Sequence, residues 1–128
     1  MRAGWFMNVI SLVDDDASVR SATVDLLDSL GFACEAYASA EEYLAERIVH
    51  TSCLILDVNL PGLNGLELQR HLVQSGRTVP IIFITAFPEE RARAEAIRAG
   101  AVCCLLKPYS DEELLTCIHR ALGLSRST

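Results

Sequence analysis

Two stretches, Cys53-Leu-Ile-Leu-Asp57 and Ile81-Ile-Phe-Ile-Thr85, decide the fold. Each is a short, unbroken apolar run that ends on a polar residue. A strand with one wet face alternates apolar and polar residues, whereas a strand covered on both faces reads as continuous. Both runs are too short for a helix and are bounded by turn-forming residues, so they read as buried strands. Taken with their flanks they span Ser52–Val58 and Val79–Thr85, and three similar runs lie at Asn8–Val13, Ala33–Tyr37 and Val102–Leu106.

Helical patterns fill the gaps between the runs. The first places Val19, Ala22, Leu26, Leu27 and Leu30 on one face and stops at Gly31. The second opens with Ser39-Ala-Glu-Glu42, and the fifth with Ser110-Asp-Glu-Glu113; both have the spacing of a capping box. The third starts at Asn64, with Glu67 three residues on, and ends near Gly76. The fourth runs from Glu89 to Ala99 and stops at Gly100, and the fifth buries Leu114, Leu115, Ile118 and Leu122. Five strand–helix repeats argue an α/β fold, a parallel sheet with helices on both faces.

The 128 residues fit one domain, expected over residues 1–123, with 124–128 as a polar tail or the start of a linker. At 51% apolar and 22% charged residues, a disordered chain is excluded. The net charge of −6 has the wrong sign for a nucleic-acid-binding domain. Ten of the eleven bases are arginine, so the single lysine, Lys107, stands out. The five cysteines (Cys34, Cys53, Cys103, Cys104 and Cys117) include no CxxC pair. They read as small free thiols in a reducing compartment rather than as metal ligands or a disulfide. Trp5 to Val13 is a weak signal-peptide core, but it runs into three aspartates rather than a cleavage site. Elsewhere no apolar stretch approaches the ~20 residues of a membrane span. The expectation is a cytoplasmic protein with no membrane partner.

The chemistry gathers at the carboxyl ends of the strands. Asp14, Asp15 and Asp16 follow the first strand, Asp57 ends the third, Thr85 ends the fourth, and the fifth runs into Lys107-Pro108. Ligands of an open parallel sheet bind at these ends, where the strand order reverses. Two like charges ~4 Å apart repel by about 1 kcal/mol in water and about 4 kcal/mol at a protein surface, so clustered carboxylates call for a cation. Oxygen ligands with room for water and phosphate suit Mg²⁺. Lys107 adds a point charge for a phosphoryl oxygen, and Thr85 adds a hydroxyl. The set reads as a site for phosphate on a carboxylate, with Asp57 as nucleophile. Singly, each residue has a bland structural role: Asp16 as a helix cap, Asp57 in a turn, Thr85 as a strand former, Lys107 as solvated surface. Their coincidence at matching strand ends favours the functional reading. His50, His71 and His119 lie away from this crevice and receive no catalytic role.

Five motifs in order carry a resemblance: Val13-Asp-Asp-Asp16, Leu56-Asp-Val-Asn-Leu-Pro61 with Gly65, Ile84-Thr-Ala86, Gly100-Ala101, and Leu106-Lys-Pro108. From about Asn8 to Leu122 the chain resembles the CheY-like receiver domain of two-component response regulators, most of all the FixJ type. The resemblance implies a doubly wound, flavodoxin-like sheet in the order 2-1-3-4-5 with five helices. It also implies that Asp57 accepts a phosphoryl group from a phosphohistidine on a sensor histidine kinase. Asp15 then binds Mg²⁺ directly, Asp14 mainly through water, and the carbonyl of Asn59 completes the protein ligands. Lys107 contacts the phosphoryl oxygens, Thr85 moves toward them, and Ala86 leaves space for access. The Lys107–Pro108 peptide is expected to be cis.

The implied protein is a signalling phosphoacceptor rather than an enzyme, assisting its own phosphorylation and dephosphorylation. It switches a partner or its own self-association, and regulates transcription if an effector domain follows. The alternative is a stand-alone receiver or a docking module. One departure is Cys104, where the family usually has Tyr or Phe. With so small a residue there, coupling is expected to rest on Thr85 and the loop into the fourth helix; the alternative is that Cys104 is simply a small buried residue and another side chain, such as Phe87, fills the space. An FMN-binding flavodoxin would share the fold, but three aspartates repel a bare phosphate. A haloacid-dehalogenase-type phosphatase needs a second acid where this chain has Asn59.

Overall fold

The computed structural model describes residues 9–46, 51–87 and 89–123. Trp5, Asn8, His50 and the expected tail at 124–128 lie outside these residues. Along the chain β1 (Val9–Val13), α1 (Ala17–Ser29), β2 (Ala33–Tyr37), α2 (Ala40–Ala45) and β3 (Cys53–Asp57) are followed by α3 (Gly65–Gln74), β4 (Ile81–Thr85), α4 (Glu90–Arg98), β5 (Cys103–Leu106) and α5 (Asp111–Leu122). The strands are all parallel and lie in the order β2-β1-β3-β4-β5, as expected.

Alternate residues of each central strand serve opposite faces. Leu54, Leu56, Ile81 and Phe83 pack with Tyr43, Leu68, Leu72 and Ala96, under α2, α3 and α4. Ile55, Ile82 and Ile84 pack instead with Leu27, Leu114 and Ile118, under α1 and α5. This is why β3 and β4 read as unbroken apolar runs: both faces are covered. Each such buried Leu, Ile or Phe contributes roughly 1.5–3 kcal/mol relative to an exposed one.

The helix ends follow their caps. Asp16 accepts from the N–H groups of Ser18 and Val19 and starts α1. Reciprocal capping boxes, Asn64 with Glu67 and Ser110 with Glu113, start α3 and α5. At α2 the box is displaced by one residue: Ser39 Oγ accepts from Glu42 N–H, but the Glu42 carboxylate takes the N–H of Ala38. The Lys107–Pro108 peptide is cis, as the resemblance implies.

Three expectations need correction. On α5 the buried residues are Leu114, Cys117 and Ile118, while Leu115 and Leu122 are only partly covered. The expected apolar face of α1 is rotated: Thr23 and Leu27 are its buried residues, while Ala22 and Leu30 are exposed. Thr23 lies four residues before Leu27, on the helix face turned to the sheet, and the periodicity of the apolar residues alone passes over it. The cysteines are not all free thiols: Cys103 of β5 and Cys117 of α5 form a disulfide, with Cα atoms 6.1 Å apart. Both side chains point into the layer between the sheet and α5, which brings residues 14 apart in sequence within reach. Cys34, Cys53 and Cys104 remain free, and burial pushes the thiols of Cys34 and Cys53 up to about 11 and about 12.

Leu54→Ala at the centre of the sheet should cost ~2–5 kcal/mol in urea denaturation, whereas Leu30→Ala should stay within about 0.5 kcal/mol of the parent. An equal loss at both positions would contradict this burial pattern.

Candidate functional site

The site lies where the strand order turns back on itself. β1 and β3 are neighbours, with Val13 opposite Leu56, so the residues that follow, Asp14 and Asp57, emerge side by side. Both carboxylates are buried, with Asp14 fully covered and Asp57 5% exposed. Asp15 is exposed at the rim. A carboxylate oxygen from each of Asp14, Asp15 and Asp57 lies within 4.8 Å of the others.

Lys107, just past the end of β5, supplies the counter-charge. Its Nζ donates to Asp57 Oδ2 at 3.0 Å and to Asp14 Oδ2 at 3.2 Å. Burial lowers the affinity of the ammonium for its proton, but the bond to Asp57 and the charges of Asp57 and Asp14 more than offset this. The pKa of Lys107 therefore sits above the ordinary lysine value. For Asp57 the balance runs the other way. Desolvation, with a smaller push from Asp14, outweighs the Asn59 N–H and Lys107, and its carboxyl is held above the usual carboxylate range.

Backbone groups lock the arrangement. Asn59 N–H donates to Asp57 Oδ1 at 2.9 Å, and Asp16 N–H donates to Asp14 Oδ1 at the same distance. Thr85, at the tip of β4, donates from Oγ1 to Asn59 Oδ1 at 2.8 Å, which bridges the ends of β3 and β4. Ala86 follows at the exposed mouth. The start of α3 presses onto β3 at Gly65, where a Cβ would fall 2.5 Å from the Asp57 carbonyl oxygen and 2.9 Å from Val58 Cα. Only glycine fits this approach.

Every expected site residue, namely Asp14, Asp15, Asp57, Asn59, Thr85, Ala86 and Lys107, thus comes to this one crevice. His71 on α3 and His119 on α5 are elsewhere, and His50 lies outside the described residues. Two supporting residues went unseen in the sequence. Arg20 Nη1 donates to the Asp14 carbonyl at 2.8 Å from the first turn of α1. Glu41 of α2 accepts the N–H of Leu63 at 2.8 Å and pins the loop after β3. Arg20 sits six residues from its partner and could be sought as a cation one helical turn past the acidic run. Glu41 and Leu63 are 22 residues apart, with no local signal. Cys104 is half-buried on β5, with its thiol raised by burial despite the nearby Arg93.

Comparison with known proteins gives a consistent answer. Residues 10–119 match the response regulator receiver domain family. The response regulator protein TodT of Pseudomonas putida is 41% identical over 121 residues, covering 92% of this chain and 52% of TodT. The transcriptional regulatory protein TdiR of Thauera aromatica is 37% identical over 120 residues, covering 93% of this chain and 53% of TdiR. This chain therefore spans about half the length of the curated relatives it matches. Among solved structures, the crystal structure of FixJ-N superposes with a TM-score of 0.84 at 31% identity over the whole of both chains.

The raised carboxyl of Asp57 carries a sign for stability. Its ionisation costs folding free energy, a cost absent below the unfolded carboxylate value, growing between the unfolded and folded values, and constant above the folded one. Asp57→Asn should therefore raise the melting temperature of the metal-free protein at neutral pH, by a few degrees for a gain of about 1 kcal/mol. The advantage should shrink as pH falls into the carboxylate range. A variant less stable than the parent at neutral pH would reverse the assigned balance.

Proposed function

The chain belongs to the response regulator receiver domain family, and from that premise we propose that Asp57 is the phosphoacceptor of a two-component signalling system. One observation carries the reading: a buried aspartate at the switch point of the sheet, with Lys107 Nζ 3.0 Å away and two further carboxylates beside it. An oxygen of Asp57 attacks the phosphorus of a phosphohistidine on a sensor kinase. The new O–P bond forms as the P–N bond breaks, and the histidine nitrogen keeps the electron pair and takes up a proton.

Three carboxylates whose oxygens converge within 4.8 Å suit a hard, oxygen-seeking dication better than a soft, thiol-seeking one. Asp14, Asp15 and Asp57, with the carbonyl of Asn59, would hold Mg²⁺. When bound, that ion supplies charge neutralisation for the phosphoryl oxygens. Lys107, already oriented by Asp14 and Asp57, meets the phosphoryl group as a second positive charge. Thr85 stands at the rim with a hydroxyl to donate, and the small Ala86 leaves the mouth open. The same machinery assists removal of the phosphoryl group, so the domain is a signalling device rather than an enzyme with a separate substrate.

The receiver domain is proposed to span residues 1–123, and the protein to act in the cytoplasm, where histidine kinases present their phosphohistidine. The proposed output is regulation of transcription, which the name of TdiR supports. Self-association on phosphorylation would use the face of α4, β5 and α5. There Glu89, Glu90, Arg91, Arg93 and Arg98 are exposed and of mixed sign, able to pair across a two-fold axis. The net charge of −6 argues against nucleic-acid contact by this domain itself.

Incubation with acetyl phosphate and Mg²⁺ should add one phosphoryl group by mass spectrometry. Asp57→Asn should abolish it, and Asp15→Asn should weaken Mg²⁺ binding and lose the labelling with it. Undiminished labelling of Asp57→Asn would sink the assignment. For self-association, sedimentation with and without beryllium fluoride should show a mass increase only in the activated sample. An unchanged mass in both would remove that part of the reading.

A further inference from the structure

Cys103 and Cys117 are joined in the layer between the sheet and α5, yet neither residue is fully sealed, with 7% and 6% exposure. Arg120, itself exposed and three residues beyond Cys117 on α5, donates from Nη1 to Cys103 Sγ at 3.4 Å. A guanidinium so placed stabilises a thiolate whenever the bridge is open. Cys34, Cys53 and Cys104 are in the opposite condition, since burial raises each of their thiols. The bridge also spans the chain that serves the phosphate site. Between its ends lie Lys107 and the Ser110–Glu113 capping box that starts α5. Lys107 N–H donates to the Thr85 carbonyl at 2.7 Å, and its Nζ holds Asp57 and Asp14. Cross-linking the ends of a segment removes conformations from it, so the bridge restrains the piece of chain that carries Lys107.

We propose that Cys103 and Cys117 are a reversible redox site, closed by a peroxide and opened by a dithiol, whose state sets how firmly the Lys107 segment is held. Disulfides are rare in a reducing compartment, and those found there are usually redox-sensing or catalytic. In the cytoplasm proposed for this chain, the pair falls in that class. Its regulatory meaning rests on Asp57 being the phosphoacceptor that Lys107 serves. The Cys103 thiolate, favoured by Arg120, attacks a peroxide oxygen. An S–O bond forms, the O–O bond breaks, and the departing hydroxide takes the proton that Cys103 gave up. The Cys117 sulfur then attacks the sulfenic sulfur. The S–S bond forms as the S–O bond breaks, and the second hydroxide leaves as water with the Cys117 proton. The two sulfurs together lose two electrons and the peroxide gains them. A dithiol reverses the change by exchange, becoming a disulfide as both thiols are regained.

The full chain, reduced with dithiothreitol and then freed of it, is to be treated with a stoichiometric amount of hydrogen peroxide. Alkylation with N-ethylmaleimide in denaturant and peptide mass then count each thiol. Cys103 and Cys117 should leave the alkylated pool together and appear as one cross-linked pair, and dithiothreitol added to the folded chain should restore both. Arg120→Leu changes an exposed side chain and should fold, yet close roughly tenfold more slowly because less thiolate is present. Arg120→Lys keeps the charge and should retain most of the rate. Hydrogen exchange at the Lys107 amide should run roughly tenfold faster in the reduced chain than in the bridged one. Beryllium fluoride with Mg²⁺, followed by fluorine NMR, should form an adduct in both states, held roughly fivefold more tightly in the bridged one. The proposal would be overturned by oxidation of the other cysteines ahead of this pair, by a bridge that the dithiol cannot open, or by equal closure in Arg120→Leu. Lys107 exchange or adduct affinity unchanged between the two states would overturn it as well, and all of these leave Asp57 as phosphoacceptor. Absence of an adduct in both states would instead overturn the phosphoacceptor reading, with the alkylation and exchange results still deciding the redox site.

Discussion

Two carboxylates buried side by side, with one ammonium between them, are the constraint on which the rest depends. Asp14 and Asp57 leave neighbouring strands at the point where the sheet order reverses, and neither can move away from the other without breaking β1 or β3. Lys107 reaches them from β5, across the full width of β4. Its charge makes the pair tolerable but does not offset the burial of Asp57, whose carboxyl remains above its ordinary range. A site in this condition gains free energy from further positive charge. The excess of negative charge is what suits it to the dication proposed for it.

Such a cluster persists only on a frame that cannot relax around it. The two apolar layers, one under α2, α3 and α4 and the other under α1 and α5, hold the central strands from both faces. At the carboxyl ends, backbone donors take over where side-chain packing stops. The Asn59 and Asp16 amides fix one oxygen each of Asp57 and Asp14, and Arg20 and Glu41 hold the loops that carry those acids. Gly65 lets α3 start directly against the Asp57 carbonyl, so the loop after β3 has little room to drift.

The parts of this design visible in the sequence are those enforced by local or periodic physics. Double-sided burial makes Cys53–Leu56 and Ile81–Ile84 unbroken, and helix starts need side-chain acceptors, so Asp16, Asn64 and Ser110 announce themselves. The strand-end acids, Thr85 and Lys107 were legible because the parallel topology sends all strand ends to one edge. What stayed hidden depends on packing between distant segments. Cys103 and Cys117 meet because α5 lies back over β5, and nothing in their spacing of 14 residues says so. Thr23 turns inward on α1 because helix orientation is set by the sheet beneath it. The tie between the Phe87 backbone and the Thr85 hydroxyl is likewise one that periodicity does not register.

Asn59 shows how finely the charge count is set. Its backbone orients Asp57, while its side-chain oxygen accepts the hydrogen of Thr85. An aspartate at this position would add another negative charge to a crevice that already holds three carboxylates. It would also convert the Thr85 contact from a neutral hydrogen bond into a charge-assisted one, which is roughly twice as strong. Thr85 would then be held more firmly by its neighbour across the crevice. A neutral amide instead gives the hydroxyl a weaker, uncharged partner. The residue that limits repulsion among the acids is therefore also the one that leaves the Thr85 hydroxyl the more weakly held.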